Sequence, residues 1–589
     1  MKELLRDALT DSLKSLEEQY DVDLSTIKIE VKENKEKDFG DFSTNLALVL
    51  SKKLSEQPKK IAEILLGELD KKEFIDSIEI AGPGFINFFL SQTSRTEILK
   101  TVNKEKNKFG FSQKKETEPD KILIEYVSSN PTGPLHVGHG RGAAFGSVLS
   151  SILRATGNHV DEEYYVNDQG RQIEILSLSV WLRYLMIFNQ INLFPSNCYQ
   201  GTYIVELAEE LKRDYGEKFS ITKEIEDQIS QMLQLDMEEE ALDGLISQSK
   251  EALNESFDEI KSFVLNRILK NIEGDLKDFG VKHNSWFKES TMFRADKDKT
   301  PLINKALDSL EAKKQLYEKD GALWFKSTDF GDEKDRVVKR ENGATTYFAS
   351  DIAYHANKYD RGYSKIINIW GADHHGYLPR VKAAMSALDE DTDKFDVVFI
   401  QFANLIRNGK KLSMSTRAGE FISLSELIEE VTSEAARFFY INRKGNQHLD
   451  FDLDLAKEQS KDNPLYYVQY AHARICSIFD KLEENKKSYK ESIAMDSLDQ
   501  LNSEQEIEIQ KLLSQFPEVV IRSAANYEPH LICYYLRQLA GTFHSYYNNE
   551  KILVEEESTL QARLFLISAV RQVVFNGLTI LGISAPETM

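Results

Sequence analysis

The sequence predicts an α/β multidomain protein: a Rossmann-type nucleotide-binding domain with a helical insertion, an N-terminal α+β domain before it and a C-terminal α-helical bundle after it. Three observations carry that expectation. The β-branched run KILIEYV, from Lys121, passes through a Pro/Gly turn into a helix pattern and then a second strand. Apolar stripes at three- and four-residue spacing fill the chain beyond about Leu465. A length of 589 residues suits about three to five domains.

Residues 1–115 read as the α+β unit. The amphipathic MKELLRDALTDSLKSLEEQY leads to DFGDFSTNLALVLSKKL and the strand-like SIEIAGPGFINFFL, and a lysine-rich stretch closes the unit. Residues 116–464 form the nucleotide-binding domain. KILIEYV suits a buried parallel strand, with a helix from about Gly138 to Thr156 and a strand from Asp161 to Val166. Helix-rich, acidic sequence interrupts the sheet over about 172–340. The sheet resumes at KIINIW (Lys365 to Trp370) and DVVFIQFANLI (Asp396 to Ile406). Residues 465–589 form the bundle, with seams such as Tyr467, Ala471, Ile475, Ile478 and Leu482.

The 74 Lys+Arg against 96 Asp+Glu leave a net charge of −22, which argues against a generally basic nucleic-acid binder. The distribution qualifies that argument. Val205 to Ile260 holds 17 acids against 5 bases, whereas Met1 to Lys115 holds 21 against 20. Polyanion binding therefore stays open away from the acidic segment. Cys198, Cys476 and Cys533 form no CxxC pair, so buried thiols in a reducing compartment are expected. The N-terminus does not resemble a signal peptide, and no apolar run approaches the ~20 residues that cross a bilayer. A soluble, cytoplasmic protein with no membrane partner is expected.

Four segments carry chemistry. The first, SSNPTGPLHVGHGRG, spans Ser128 to Gly142 between a strand and a helix. His136 and His139 share a face at the helix start, where phosphate is already favoured, and Gly138 leaves room for a flat ligand. Two imidazole donors there suit charge growing on a transferring phosphoryl group. HxxH could instead bind a metal, or the histidines could be structural; HExxH and an obvious third ligand are absent, and no structural metal is expected. The second segment, GKKLSMSTRAGEFISL, surrounds Ser413, Ser415 and Thr416 with Lys410, Lys411 and Arg417, a composition suited to a triphosphate clamp or simply to a solvated loop. The third, WGADHHGYLPR, follows a strand. There Gly371 and Asp373 could meet a ribose, and His374 and His375 a substrate. In the fourth, TTYFASDIAYH, a helix would set Tyr347 and Asp351 on one face. That pairing suits a cationic ligand, with Glu125 as a second carboxylate.

Together these segments resemble the class I aminoacyl-tRNA synthetases: HVGH stands for the HIGH motif and SMSTR for KMSKS. YYVNDQGRQI, YFASDIAYH, WGADHHGYLPR, MSTRAGEF and DFDLDLAKEQSKDNPLYYVQYAHARI, together with YLRQLAGTFHSYYN, FGDFSTNLAL and AGPGFINFFL, narrow the resemblance to bacterial-type arginyl-tRNA synthetases, nearly end to end. The resemblance implies a Rossmann-type catalytic domain that activates L-arginine with ATP and Mg²⁺ and transfers it to tRNA(Arg). A monomer is expected. It implies that His136, His139, Lys410, Lys411, Ser415 and Arg417 are catalytic. ATP would be bound by Pro131, Thr132, Gly133, Pro134, Leu135, His136, Val137, Gly138, His139, Gly140, Arg141, Gly371, Asp373 and Met414. Arginine would be bound by Glu125, Asn130, Tyr347, Asp351 and His374. Phe85 and Asn87 would meet the tRNA D-loop and the bundle the anticodon. The acidic segment would face away from tRNA, and Lys52, Lys53, Lys59 and Lys60 toward it. Other expectations are a different class I synthetase or nucleotidyltransferase, a non-catalytic RNA-binding relative, or a zinc hydrolase.

Ser413 and Thr416 stand where KMSKS has lysines, and Thr132-Gly133-Pro134-Leu135 holds no compensating lysine. Lys410, Lys411 or Arg417 is expected to supply the charge. At least one of the three alanine variants should slow pre-steady-state adenylate formation; wild-type rates in all three would refute the assignment.

Overall fold

The structure, a computed structural model, describes residues 2–34, 36–69, 72–111, 119–234, 238–295, 300–412 and 422–589. The first unit is an antiparallel sheet of β1 (Val31–Glu33), β2 (Phe42–Thr44), β3 (Ile75–Ala81) and β4 (Phe85–Leu90), in the order β1-β2-β4-β3. Helices Lys2–Tyr20, Leu46–Leu54 and Pro58–Leu69 bury their apolar stripes with it, around Leu9, Leu16, Leu50, Leu65 and Phe88. This core ends at Leu90. The next helix, Gln92–Glu105, lies within the 1–115 span expected to form the first unit, but it packs into the C-terminal bundle through Leu99 and Val102. Ser568 there donates to Asn103 Oδ1 at 2.9 Å.

Five parallel strands form the central sheet: β5 (Lys121–Glu125), β6 (His159–Val166), β7 (Ser285–Lys288), β11 (Lys365–Gly371) and β12 (Phe395–Ile400). Their spatial order is β12-β11-β5-β6-β7. Between β7 and β11 lies an antiparallel sheet of β8 (Leu316–Lys319), β9 (Ala322–Phe325) and β10 (Arg336–Lys339). The HVGH helix, Val137–Ala155, crosses from β5 to β6. β5 buries Ile122, Leu123 and Ile124, the two-sided burial its β-branched run predicts.

Two expectations change. The stretch 172–340 is not wholly helical: it supplies β7 to the central sheet, paired in parallel with β6. β7 has four residues and only partial burial, too little for periodicity to signal. The run Asp396–Ile406 is not one strand. It breaks at Gln401–Phe402 and continues as β13 (Ala403–Arg407) in a third sheet with β14 (Lys410–Lys411) and β15 (Leu449–Asp452).

The bundle begins at helix Pro464–Glu484. Asn463 caps it through the Leu465 and Tyr466 amides, and proline sits at the first turn. Helices Glu504–Asn526, His530–Asn549 and Glu557–Leu581 complete it. The seam residues Ala471, Ile475, Ile478, Leu482, Leu539 and Phe543 are buried, as their spacing predicts. All three cysteines are buried thiols. One helix among the described residues, Glu557–Leu581, is long and apolar enough on average to cross a membrane, although it holds no unbroken apolar run of that length. Its polar interruptions leave a mean hydropathy of 1.7 over 18 residues, and 78% of that window is buried. It is the core helix of the bundle.

Arg437, in helix Ser433–Ile441, joins the nucleotide-binding domain to the bundle. Its guanidinium is 2% exposed as a residue and donates to the carbonyls of Leu581 (3.0 Å) and Phe279 (3.0 Å) and to Ser147 Oγ (3.1 Å). Burial lowers its pKa to about 10, which still leaves it charged at neutral pH. Arg437→Met would strand these acceptors, so we expect a loss of about 3 kcal/mol. Calorimetry should register a lower unfolding midpoint; an unchanged midpoint would contradict this account.

Candidate active site

Strand order reverses between β5 and β11, so the loops leaving those two strands part at their carboxyl ends and open a crevice. The chain leaves β5 through Val127 at φ 69° and Ser128 at φ 40°. A β-branched residue in that region is strained, and strain of this kind persists only where neighbours fix it. The neighbours are specific: Ser128 Oγ donates to Glu125 Oε1 at 2.9 Å and accepts from the Tyr165 amide at 3.0 Å.

The two motif histidines cap their own helix. His136 Nδ1 accepts from the Gly138 amide at 3.1 Å, and His139 Nδ1 accepts from the His136 amide at 3.2 Å. Each Nδ1 is thus an acceptor, so each neutral ring carries its proton on Nε2. The rings stack with centroids 3.8 Å apart. Burial lowers the pKa of both; for His139, burial and then the neighbouring His136 bring it to about 3. The pair therefore forms two neutral donors at a helix N-terminus.

Other residues expected at the nucleotide turn inward. Leu135 and Val137 are fully buried, and their backbone groups pair with Leu424 and Ile422. Tyr440 occupies the space beside buried Gly140. Pro131 is buried too. Arg141, expected at ATP, is instead a structural clamp: it is 1% exposed and donates to the carbonyls of Gln401 (2.7 Å), Gln447 (2.8 Å) and Lys444 (3.0 Å). Thr132, Gly133 and Pro134 are half-buried, with the Thr132 carbonyl accepting from Tyr203 Oη at 2.8 Å. Gly138 and Gly371 do face common space. A Cβ on either would stand 3.5 Å or 3.7 Å from the Phe402 ring, which is 52% exposed. Sequence reading missed Phe402 because an aromatic residue in a strand-like run reads as core. A Cβ at Gly138 would also lie 2.8 Å from the His136 ring, so the glycine makes that capping geometry possible.

A second pocket forms where helix Tyr347–Asp360 starts. Thr346 caps it at the Ala349 amide. Tyr347 is exposed, with its hydroxyl against Gly170, whose φ of +90° and missing side chain admit it. Asp351, one turn on, accepts from Tyr377 Oη. Glu289 is buried and hydrogen-bonded by Tyr165 and Ser350. Burial raises both carboxyls. That of Asp351 reaches about 7 through burial, tempered by Tyr377 and increased by Glu289 and Glu125. Glu289 and Tyr377 gave no sequence signal, because only the β6–β7 pairing and the turn after β11 bring them here. Glu125, expected to meet the ligand, is ion-paired with buried Lys358. Asn130 is on the exposed rim and donates to Gln172 Oε1 at 3.0 Å. Asp373, His374 and His375 are exposed, and His375 stacks on Phe399 at 3.6 Å.

Lys410 and Lys411 are exposed on β14. Ser413, Met414, Ser415, Thr416 and Arg417 lie outside the described residues. The chain returns at Ile422, bonded to Val137, and at Ser423, bridged to His136. In the first unit Phe85 is exposed, but Asn87 is only 4% exposed inside the sheet, which corrects its expected tRNA contact. Lys52, Lys53, Lys59 and Lys60 are exposed; Lys60 pairs with Glu56. No group of three or more His, Cys, Asp or Glu side chains among the described residues could hold a metal ion.

Three family models cover most of the chain: the arginyl tRNA synthetase N-terminal domain at 2–90, the catalytic domain of class I (R) tRNA synthetases at 99–452, and the DALR anticodon-binding domain at 468–589. The chain is 48% identical to an arginine–tRNA ligase of Nitrosomonas eutropha, covering 96% of this chain and 95% of that protein. It is 46% identical to one of Legionella pneumophila, covering 100% and 99%. In fold it matches Thermus thermophilus arginyl-tRNA synthetase with a TM-score of 0.72, at 22% identity and full coverage of both chains.

The capping geometry makes a spectroscopic prediction. In ¹⁵N-histidine spectra, His139 should hold the Nε2–H tautomer unchanged from pH 8 down to about pH 5, two units above its lowered pKa. An imidazolium signal from His139 within that range would contradict it.

Proposed function

The chain belongs to the arginyl-tRNA synthetase family, and on that footing we propose how its own residues ligate arginine to tRNA(Arg). The reaction activates arginine with ATP: the carboxylate attacks the α-phosphate, pyrophosphate leaves, and arginyl-adenylate forms. The terminal ribose hydroxyl of the tRNA then takes the arginyl group, releasing AMP. One observation carries the residue assignment: two neutral Nε2–H donors and a pair of carboxyls with raised pKa open on the same sheet end.

His136 and His139 donate to the α-phosphate oxygens as charge grows there, at a helix end that already favours anions. Their rings give hydrogen bonds and keep their protons, since both Nδ1 atoms are committed to backbone amides. Adenine lies in the slot between Gly138 and Gly371 against Phe402, and the Gly371–Asp373 turn meets the ribose. Mg²⁺ arrives with the triphosphate as part of the substrate and shares its charge. Lys410, Lys411 and Arg417, with Ser415 and Met414, close over the phosphates. Asp351 and Glu289 face the guanidinium, whose planar fork matches carboxylates; Tyr347 covers it and Asn130 takes the α-amino group. His374 borders this site from the solvent side. Phe85 meets the D-loop and the bundle reads the anticodon. The surface with Lys52, Lys53 and Lys59 faces tRNA, and the acidic 205–260 segment faces away. A cytoplasmic monomer fits this reading.

Charging of bulk tRNA with each of the twenty amino acids tests the function: arginine alone should be transferred, and transfer of another amino acid instead would overturn the reading. The Asp351 carboxyl, at about 7, adds a pH test. A cation binds the ionised form, so arginine must displace a proton as pH falls below about 7. The KM for arginine should rise about tenfold per pH unit there, and Asp351→Asn should give a high, pH-independent KM. A flat wild-type KM between pH 6 and 8 would count against the assignment.

A further inference from the structure

We propose that Lys358 is a positioning residue that fixes the amino-acid pocket by tying together β5, β11 and helix Tyr347–Asp360. The inference rests on the reading of that pocket as the arginine site.

Lys358 is fully buried two turns beyond Asp351. It pairs with Glu125 at the end of β5 and donates to Asn368 Oδ1 of β11 at 2.8 Å. From there a single direction of donation runs back to the pocket. Asn368 Nδ2 donates to His355 Nε2 at 3.2 Å, and His355 Nδ1 donates to the Asp351 carbonyl at 2.8 Å. Burial holds His355 neutral, which this pattern of one donor and one acceptor requires. The ammonium thus fixes both the rotamer of Asn368 and the backbone that carries Asp351.

The other arm reaches the loop. Glu125, held by Lys358, accepts from Ser128, and Ser128 accepts from Tyr165; this pins the left-handed turn that leads to Asn130. Register reinforces the arrangement. Asn368, Glu125, Glu163 and Ser285 are direct neighbours across β11, β5, β6 and β7. Arg361, one turn after Lys358, forks Glu163 at 2.6 and 2.9 Å. Lys358 within the helix and Arg361 at its C-cap are therefore paired with two carboxylates at a single level of the sheet, which opposes sliding of the helix.

The histidine half of the site has separate anchors: Val137 to Ile422, Leu135 to Leu424, and Tyr440 Oη to the Val137 carbonyl at 2.8 Å. Lys358 should consequently govern arginine and leave ATP alone. Stability is a weak reason for such a pair, since desolvation offsets much of its attraction. Its specific return is geometry.

The test is arginine-dependent ATP–pyrophosphate exchange by the full-length protein with tRNA present. Lys358→Met should raise the KM for arginine about tenfold while the KM for ATP stays within about twofold. Adding Glu125→Gln removes the stranded charge but not the lost tie to Asn368, so the double variant should keep a raised arginine KM; a full return to the wild-type value would trace the effect to the stranded charge and overturn the proposal. Ser128→Ala should also raise the arginine KM without leaving a buried charge. A folded Lys358→Met with wild-type arginine KM, or with both KM values raised equally, overturns the proposal. If Lys358→Met does not fold, an unaltered arginine KM in Ser128→Ala overturns it. Wild-type protein that shows no arginine-dependent exchange would sink the functional reading itself, before any variant is compared.

Discussion

The pairing of β5 with β11 is the constraint on which the site depends. It sets Ile122 beside Lys365 and Glu125 beside Asn368, joining segments some 240 residues apart in the chain. Because the two strands run parallel, both carboxyl ends face the same way. Because their onward connections diverge, a crevice opens between them. The nucleotide slot, the histidine pair and the carboxyl pocket all lie around that opening. Each would lose its geometry if the register slipped by one residue, since a slip turns every side chain to the opposite face.

Buried charge is used sparingly and with different partners. Arg141 and Arg437 direct their donors to backbone carbonyls, and Arg437 also to Ser147 Oγ, and hold loops and domains together. Lys358 and Arg361 meet carboxylates and hold a helix in register. Burial raises the pKa values of Asp351 and Glu289; at Asp351 the neighbouring Glu289 and Glu125 add to it, while Tyr377 and the more distant Lys358 oppose it. The same low-dielectric surroundings that make an unpaired carboxyl costly make it a strong receptor for an incoming guanidinium.

Local pattern made much of this visible in the sequence. The β5–helix–β6 unit, the spacing of His136 and His139 and that of Tyr347 and Asp351 each lie within one element or one turn, where periodicity fixes the geometry. What escaped was set by tertiary contact. Four residues of β7 are too few to show alternation, yet they deliver Glu289. Arg141 follows the histidine motif directly and reads as a phosphate ligand; only the position of the Gln401 and Gln447 carbonyls shows its guanidinium already satisfied. Glu125 reads as a ligand until Lys358, more than 230 residues away, is seen against it. Sequence gives residue types at a site, but not which of them are already taken.

The helix Glu557–Leu581 has a consequence for assembly. It packs against helix Gln92–Glu105 and the HVGH helix, and its last carbonyl completes the shell of Arg437. On the ribosome the last strand of the nucleotide-binding sheet ends at Ile400, well before this helix begins at Glu557. The face of the HVGH helix that it covers therefore waits exposed until this helix has been made, a stage at which collapsed intermediates are prone to associate. The domain that would read one end of the tRNA is thus also the last piece of the core beneath the histidines, and a nascent chain cannot finish one without the other.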